Sequence, residues 1–325
     1  MKRFSVIALA LTLLLGGGEA ALAQSGKVVH YNANGSKMAR AITAAFEKKY
    51  PNIKVETIVG GSGELLARVK GEKGRPRGDV YNGSMETLES SPHFFTPTKT
   101  AEHDKFPAMG VGPNNLYYGD SLSLQVIMVN TDMMSLGDAP KCWKDLADPK
   151  YKGKIIMANP SLSGSAYSQL AQMIQLYGWD FTAKVINNSV FVPKSRLVYT
   201  NVSRGEAPIG ITEETKPYKE AAKGFPVKTV YFCEGTGMRY GAVSIIKGGP
   251  NPKNAKLLYD FLNSKEGNEI GVKVRKRRSP RHDVSVPKGL PPLAKVKLFA
   301  YDGLTAATSR NAYLKKFNEI FSRKK

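Results

Sequence analysis

KVVHYNANGSKMARAITAAFEKKY, residues 27–50, decides the fold. Lys27 to Tyr31 reads as a β-strand, Asn32-Ala33-Asn34-Gly35 as a turn, and Ser36 stands where a helix cap belongs. Met38, Ile42, Ala45 and Phe46 then recur at helical spacing, until Pro51-Asn52 breaks the helix. The same order follows twice more. Ile53 to Val59 is a strand, Gly60-Gly61-Ser62-Gly63-Glu64 a tight turn, and Leu65, Leu66 and Val69 begin a helix. Asp79-Val80-Tyr81 is a short strand that ends at Asn82-Gly83-Ser84 before another helical stretch. Three strand–turn–helix units imply a parallel sheet with crossover helices. Ligands of such sheets sit at the carboxyl ends of the strands, where these turns lie.

Residues 92–121 are rich in Pro, Gly and Asn and read as irregular, whereas Leu122 to Asn130 is a strong strand. A second set follows: strand Lys154–Ala158, turn Asn159–Ser165, and helices Ala166–Leu176 and Asp180–Asn187. Further strands are expected at Ala207–Thr212, Val227–Phe232 and Ala242–Ile246. Helices are expected at Lys253–Leu262, Glu266–Val274 and from Leu304 onward. The layout is α/β, with two lobes whose Gly- and Ser-rich turns face each other across a cleft.

The chain has 325 residues, a length that suits about two domains, and 42% hydrophobic residues exclude a disordered polymer. Its 48 Lys and Arg against 27 Asp and Glu give a net charge of +21, which suggests nucleic acid, an anionic membrane or acidic ligands. Met1-Lys2-Arg3, the apolar stretch Ser5–Leu15 and the small-x-small site Ala21-Leu22-Ala23 form the pattern of a secretory signal peptide. Cleavage is expected after Ala23, with the mature chain starting at Gln24. The apolar stretch falls short of the roughly 20 residues that span a bilayer. An exported protein permits a disulfide between Cys142 and Cys233, but their spacing proves nothing about proximity, and two buried thiols are the plainer expectation.

The strongest local chemistry is Asn159-Pro160-Ser161-Leu162-Ser163-Gly164-Ser165-Ala166-Tyr167, between a strand and a helix. A helix N-terminus offers unpaired N–H groups and partial positive charge. Ser161, Ser163 and Ser165 add hydroxyls, a donor set suited to phosphate, phosphonate or carboxylate. The plain alternative is N-capping by one serine. Ser62 and Gly63, Asn34-Gly35, and Gly83-Ser84 are weaker versions of such a turn, each readable as a tight turn alone. Arg196, in an expected loop, and Arg239 are candidate anion contacts; Thr212 ends a strand, and Glu213 and Glu214 follow it, where they could meet an amine or a cation or simply be solvated. His30, His93, His103 and His282 show no metal-ligand spacing, and no nucleophile–base–orienter set assembles, so no enzyme, metal or cofactor is expected. The run Lys273-Val274-Arg275-Lys276-Arg277-Arg278-Ser279-Pro280-Arg281 lacks aromatics for stacking bases and reads as a solvated basic face.

The sequence resembles the periplasmic solute-binding proteins of ABC importers, in the branch containing ferric-iron, phosphonate and sugar-phosphate binders. The resemblance is carried in order by Gly60–Arg68, Asp148–Ile155, the Asn159–Tyr167 turn, Gly205-Glu206 with Gly210-Ile211-Thr212, and Glu234-Gly235-Thr236. It continues through Ser264-Lys265-Glu266-Gly267 and Gly289-Leu290-Pro291-Pro292-Leu293. It implies a two-lobed, type II-like periplasmic-binding-protein fold with a hinge of crossing strands and an interlobe cleft. It implies one lobe of residues 24–121 and 233–270 and another of 122–232 and 271–325. It implies a periplasmic monomer that captures a small solute without chemistry and delivers it to a membrane permease, with no nucleic acid involved. Iron binders of the branch place adjacent tyrosines after the Gly-Ile strand. Here that place reads Ile211-Thr212-Glu213-Glu214-Thr215, and Tyr117-Tyr118 lies in another segment. An organophosphate, phosphonate or carboxylate is therefore the expected solute. Ferric iron or a ferric complex is the alternative, and a secreted enzyme or basic surface-binding protein the remote one.

Overall fold

A computed structural model describes residues 25–324, so the expected signal peptide lies outside the described residues. The opening stretch folds as its periodicity dictates. β1 (Gly26–Asn32) leads into α1 (Ser36–Lys49), β2 (Ile53–Val59), α2 (Ser62–Gly71), β3 (Val80–Ser84) and α3 (Met85–Glu89). Met38, Ala39, Ile42 and Phe46 are the buried stripe of α1. β1 pairs in parallel with β2 on one side and β3 on the other. Val28 faces one apolar cluster and Val29 and Tyr31 the other, as a strand with a two-residue side-chain period requires.

β4 (Phe95–Thr96) precedes β5 (Tyr118–Asn130), whose thirteen residues are all buried. The second lobe adds β6 (Ile155–Ala158), α4 (Gly164–Asn188), β7 (Ser189–Val192), α5 (Ser195–Ser203), β8 (Ile209–Glu213), α6 (Thr215–Ala221) and β9 (Val227–Val230). β10 (Thr236–Ile246) returns to the first sheet. It is followed by α7 (Pro252–Asn263), α8 (Lys265–Arg275), β11 (Leu298–Phe299), α9 (Gly303–Thr308) and α10 (Arg310–Ser322). The two helices expected at 166–176 and 180–187 are one interrupted helix, bent at Gly178, whose φ of 72° breaks the helical path. The strand expected from Ala242 begins at Thr236, so Arg239 lies within β10 rather than between two strands.

β5 and β10 are the crossing strands. The first half of β5 pairs antiparallel with β10, and its second half pairs with β8 and β9. The strands run in the order β2-β1-β3-β10-β5-β8-β6-β7, so the first sheet passes into the second through these two. Each sheet is packed on both faces, around Tyr31 and Tyr118 in the first lobe and Trp143 and Met128 in the second.

The C-terminal elements divide between the lobes. Ile270 and Val274 of α8 and Val296 join first-lobe clusters, whereas Phe317 of α10 joins the second-lobe core. α9 packs on α3, where Gly303 leaves no room for a Cβ beside Met85. Cys142 and Cys233 form a disulfide with Cα atoms 4.8 Å apart, settling the pairing that spacing left open. It ties the Trp143 loop to the segment entering β10. Glu234 fastens the same joint by accepting hydrogen bonds from the Trp143 and Lys144 amides and the Tyr177 hydroxyl.

Candidate functional site

The strand-end turns of both lobes converge on one cavity of about 680 Å³. Asn34 comes from the end of β1, Ser62 and Gly63 from the start of α2, and Gly83 and Ser84 from the end of β3. The second lobe supplies Ser163, Gly164 and Ser165 at the start of α4. The crossing strands contribute Ser123, Arg239 and Gly241, and the C-terminal helices contribute Thr308, Arg310 and Asn311.

Neutral donors cluster on the second-lobe wall. Ser163 caps α4 by accepting from the Ala166 amide. Its hydroxyl also shares hydrogen bonds with Ser165 at 3.2 Å and with Ser195, and Ser165 and Ser195 are 2.8 Å apart. Ser195 is the first residue of α5, so two helix N-termini meet around three hydroxyls. Aligned peptide dipoles make such an end favourable for an anion.

A charged group lies against this wall. Arg239 of β10 donates from Nε to Glu86 Oε1 at 2.8 Å, and a Cβ placed on Gly164 would be 3.5 Å from Arg239 Nη2. Burial alone would weaken the charge of Arg239, but the Glu86 carboxylate more than restores it. The guanidinium is therefore held, charged, beside the α4 N-terminus. Lys70, Arg277 and Arg310 also line the cavity, against the single carboxylate of Glu86 among the described residues. The Arg310 guanidinium stands 4.3 Å over the Tyr167 ring. Neither Lys70 nor Arg310 has a carboxylate partner among the described residues.

Five expected ligand residues do not line the cavity. Gly35 precedes α1 with a φ of 83°, a conformation that glycine adopts readily. Ser161 turns to Asn318 at 3.1 Å. Arg196 is exposed on α5, which forms where a loop was expected. Thr212 and Glu213 are buried in β8. Burial pushes the Glu213 carboxyl up, but Arg277 and Lys216 outweigh it and bring it down to about 2. Glu213 thus holds Arg277, 3.4 Å away, rather than a solute.

Asn34 reaches the cavity with its amide already engaged. Nδ2 donates to Asn82 Oδ1 at 2.6 Å and to Asp120 Oδ2 at 2.7 Å. Burial raises the Asp120 carboxyl, and Arg275 with the Asn82, Ser121 and Asn34 donors pulls it below the usual range. The whole knot sits where β1, β3 and β5 meet.

The basic run is not a solvated face. Arg275 pairs with Asp120 at 3.3 Å, and Arg278 pairs with Glu214 through two bonds of 2.8 and 3.1 Å. Arg281 reaches Glu102 and Asp283, both at 2.7 Å. Arg278 also accepts a backbone hydrogen bond from the Leu122 amide at 2.8 Å. The run is a strap lying along the crossing strand, with its arginines paired to carboxylates drawn from both lobes while Lys273 and Lys276 stay exposed. Nothing local in the sequence distinguishes such a strap from a solvated run, because Glu102, Asp120, Glu213 and Glu214 lie at least 60 residues away. Sequence reading likewise missed Arg310 and Glu86 as parts of the cleft, and Ser195 as the partner of the Ser163 and Ser165 hydroxyls behind it.

Residues 28–273 match the model of a family described as bacterial extracellular solute-binding protein. An uncharacterized protein of Haemophilus influenzae is 34% identical over 83% of this chain and 84% of its own. A putative 2-aminoethylphosphonate-binding periplasmic protein of Salmonella typhimurium is 25% identical over 67% of each chain. Among solved structures, the periplasmic binding protein AfuA of Actinobacillus pleuropneumoniae, bound to fructose-6-phosphate, superposes with a TM-score of 0.81. It is 29% identical and covers 92% of this chain and all of its own.

Proposed function

Because the chain belongs to the bacterial extracellular solute-binding protein family, we propose that it captures a small organic phosphate or phosphonate in the periplasm and hands it to an ABC permease. The observation that carries this reading is the placement of Arg239 against the α4 N-terminus, on a cavity wall that Ser163 and Ser165 also line. Arginine binds a phosphoryl group through parallel hydrogen bonds, and helix amides add donors without a competing negative charge. No bond of the solute is made or broken in this role, and one chain suffices for it.

Capture works by closure of the lobes about β5 and β10. We divide the chain as residues 24–121 with 233–270 and residues 122–232 with 271–325. One shift is made: the rest of α8 and Val296 are assigned to the first lobe, with whose apolar clusters they pack. Carboxylates are weaker candidates, because a single carboxylate leaves part of this donor set unused. The ferric alternative lacks support in the donor set. Tyr117 and Tyr118 are buried in first-lobe clusters, and the Tyr167 hydroxyl donates to the Ala306 carbonyl.

A thermal-shift panel of fructose 6-phosphate, 2-aminoethylphosphonate, simple carboxylates and ferric salts tests the reading. Ligand at one hundred times Kd stabilises the folded chain by about 2.7 kcal/mol. A shift with the phosphorus compounds is expected. A shift with ferric salts alone would replace this reading with the ferric one, and no shift with any class would sink both.

A further inference from the structure

We propose that Arg310 is the residue through which the cleft reads the charge of its solute, so that a doubly charged phosphoryl group binds in preference to a singly charged sulfate or sulfonate of similar shape. This rests on the reading of the cleft as an organic-phosphate site. Two guanidinium groups converge on the first turn of α4. Arg239 reaches it at Gly164, where a Cβ would stand 3.5 Å from Nη2. Arg310, the first residue of α10, reaches it at Tyr167, with its guanidinium 4.3 Å from the ring centre. Gly164 and Tyr167 are three residues apart and share one face of the helix, and a helical tyrosine leans back toward the helix N-terminus. The ring is a fixed platform, because it is buried and its hydroxyl donates to the Ala306 carbonyl. Arg310 itself is half-buried and lines the cavity, so a solute can reach it.

The charges left over set the class of anion. Arg239 pairs with Glu86 and Arg277 with Glu213, so each of these cations already faces a carboxylate. Arg310 and Lys70 line the cavity with no carboxylate partner among the described residues. Two uncompensated cations suit a phosphoryl group, which carries about two negative charges at pH 8, better than a sulfate ester or sulfonate, which carries about one. Lys70 is exposed, and water and salt screen its charge. Arg310 is half-buried against a rigid ring, where screening is weaker. Arg310 therefore carries the discrimination.

Calorimetric titration at pH 8 with two matched pairs decides the matter: fructose 6-phosphate against fructose 6-sulfate, and 2-aminoethylphosphonate against 2-aminoethylsulfonate. The wild-type chain is expected to bind the phosphorus member of each pair at least about tenfold more tightly, the scale of one added hydrogen bond between charged groups. Arg310→Gln removes the charge and keeps amide donors. It is expected to weaken fructose 6-phosphate about tenfold and fructose 6-sulfate less than about threefold. Arg310→Lys, which keeps the charge, is expected to hold the preference above about threefold. Equal weakening of both sugar esters in Arg310→Gln would show that the residue only supports the fold of the wall, and would overturn the proposal. A preference lost equally in Arg310→Lys would overturn the charge reading. So would a wild-type preference below threefold in both pairs, which needs no variant to fold. Failure of all four probes to bind would overturn the organic-phosphate reading as well, whereas binding without preference for phosphorus would sink this inference alone.

Discussion

The Ser163–Ser165 turn and the Arg275–Arg281 strap handle charge in opposite ways. The turn carries no ionised side chain, yet it opens onto the cavity with the α4 N-terminus and the hydroxyls of Ser163 and Ser165, which Ser195 backs from the start of α5. The strap has four arginines within seven residues, and Arg278 and Arg281 are each only 2% exposed. Its charges are spent inside the protein, on carboxylates that hold the crossing strands in place. A net charge of +21 therefore says little about where an anion binds. The cations that remain for a solute are those the strap does not consume: Arg239, Lys70, Arg310 and, in part, Arg277.

If this contrast holds, damage to the strap should appear in stability and damage to the turn in affinity. Arg278→Met leaves Glu214 buried and unpaired, and is expected to remove about 3–5 kcal/mol of unfolding free energy in urea. Adding Glu214→Met should restore most of it. A loss near zero would return the run to the status of a solvated face.

His30 sharpens the contrast, because it is buried with neither ring nitrogen bonded. Burial lowers its pKa to about 4 from 6.5, with Asp120 opposing the shift. The native imidazole is neutral, whereas the unfolded chain binds a proton below pH 6.5. The stability is thus complete above pH 6.5 and falls as pH drops toward 4, by about 3 kcal/mol in all at about 1.4 kcal/mol per unit. Urea midpoints at pH 7 and 4.5 should show the loss, and His30→Gln should lack that share of it.

On the cleft side, Arg239→Ala is expected to weaken a phosphorylated solute about a hundredfold, the scale of hydrogen bonds between charged groups. The smallest effect belongs to the turn. Ser163→Ala and Ser165→Ala should each weaken binding about fivefold, with about 1 kcal/mol of stability lost through the Ser163 cap. Unchanged affinity in the double variant would remove the turn from the site.

Much of this molecule was legible locally. The stripe Met38, Ile42, Phe46 and the Ser163 cap of α4 report short-range requirements that the fold obeys, whereas Ser36 begins α1 without capping it, Gly35 standing at the cap position. α5 and the true start of β10 escaped, because Ser195–Ser203 has only a short apolar stripe and glycines interrupt the strand pattern near Thr236. Of the expected site, Asn34, Ser62, Gly63, Gly83, Ser84, Ser163, Gly164, Ser165 and Arg239 meet at the cavity. Gly35, Ser161, Arg196, Thr212 and Glu213 do not, since a polar residue near a strand end is as readily spent on a turn, a cap or an ion pair as on a ligand.

The sequence alone determined the alternation of strands and helices, because side-chain period and backbone preference act over a few residues. It also determined that polar turns would gather at the strand ends. Only the tertiary structure decided which charges remain for a solute. Glu86 and Arg239 are 153 positions apart, Glu214 and Arg278 64, and Cys142 and Cys233 91. No local pattern encodes such pairings. They are set when two sheets share β5, and burial then leaves each polar atom with a partner or, as at Glu86 Oε2, without one.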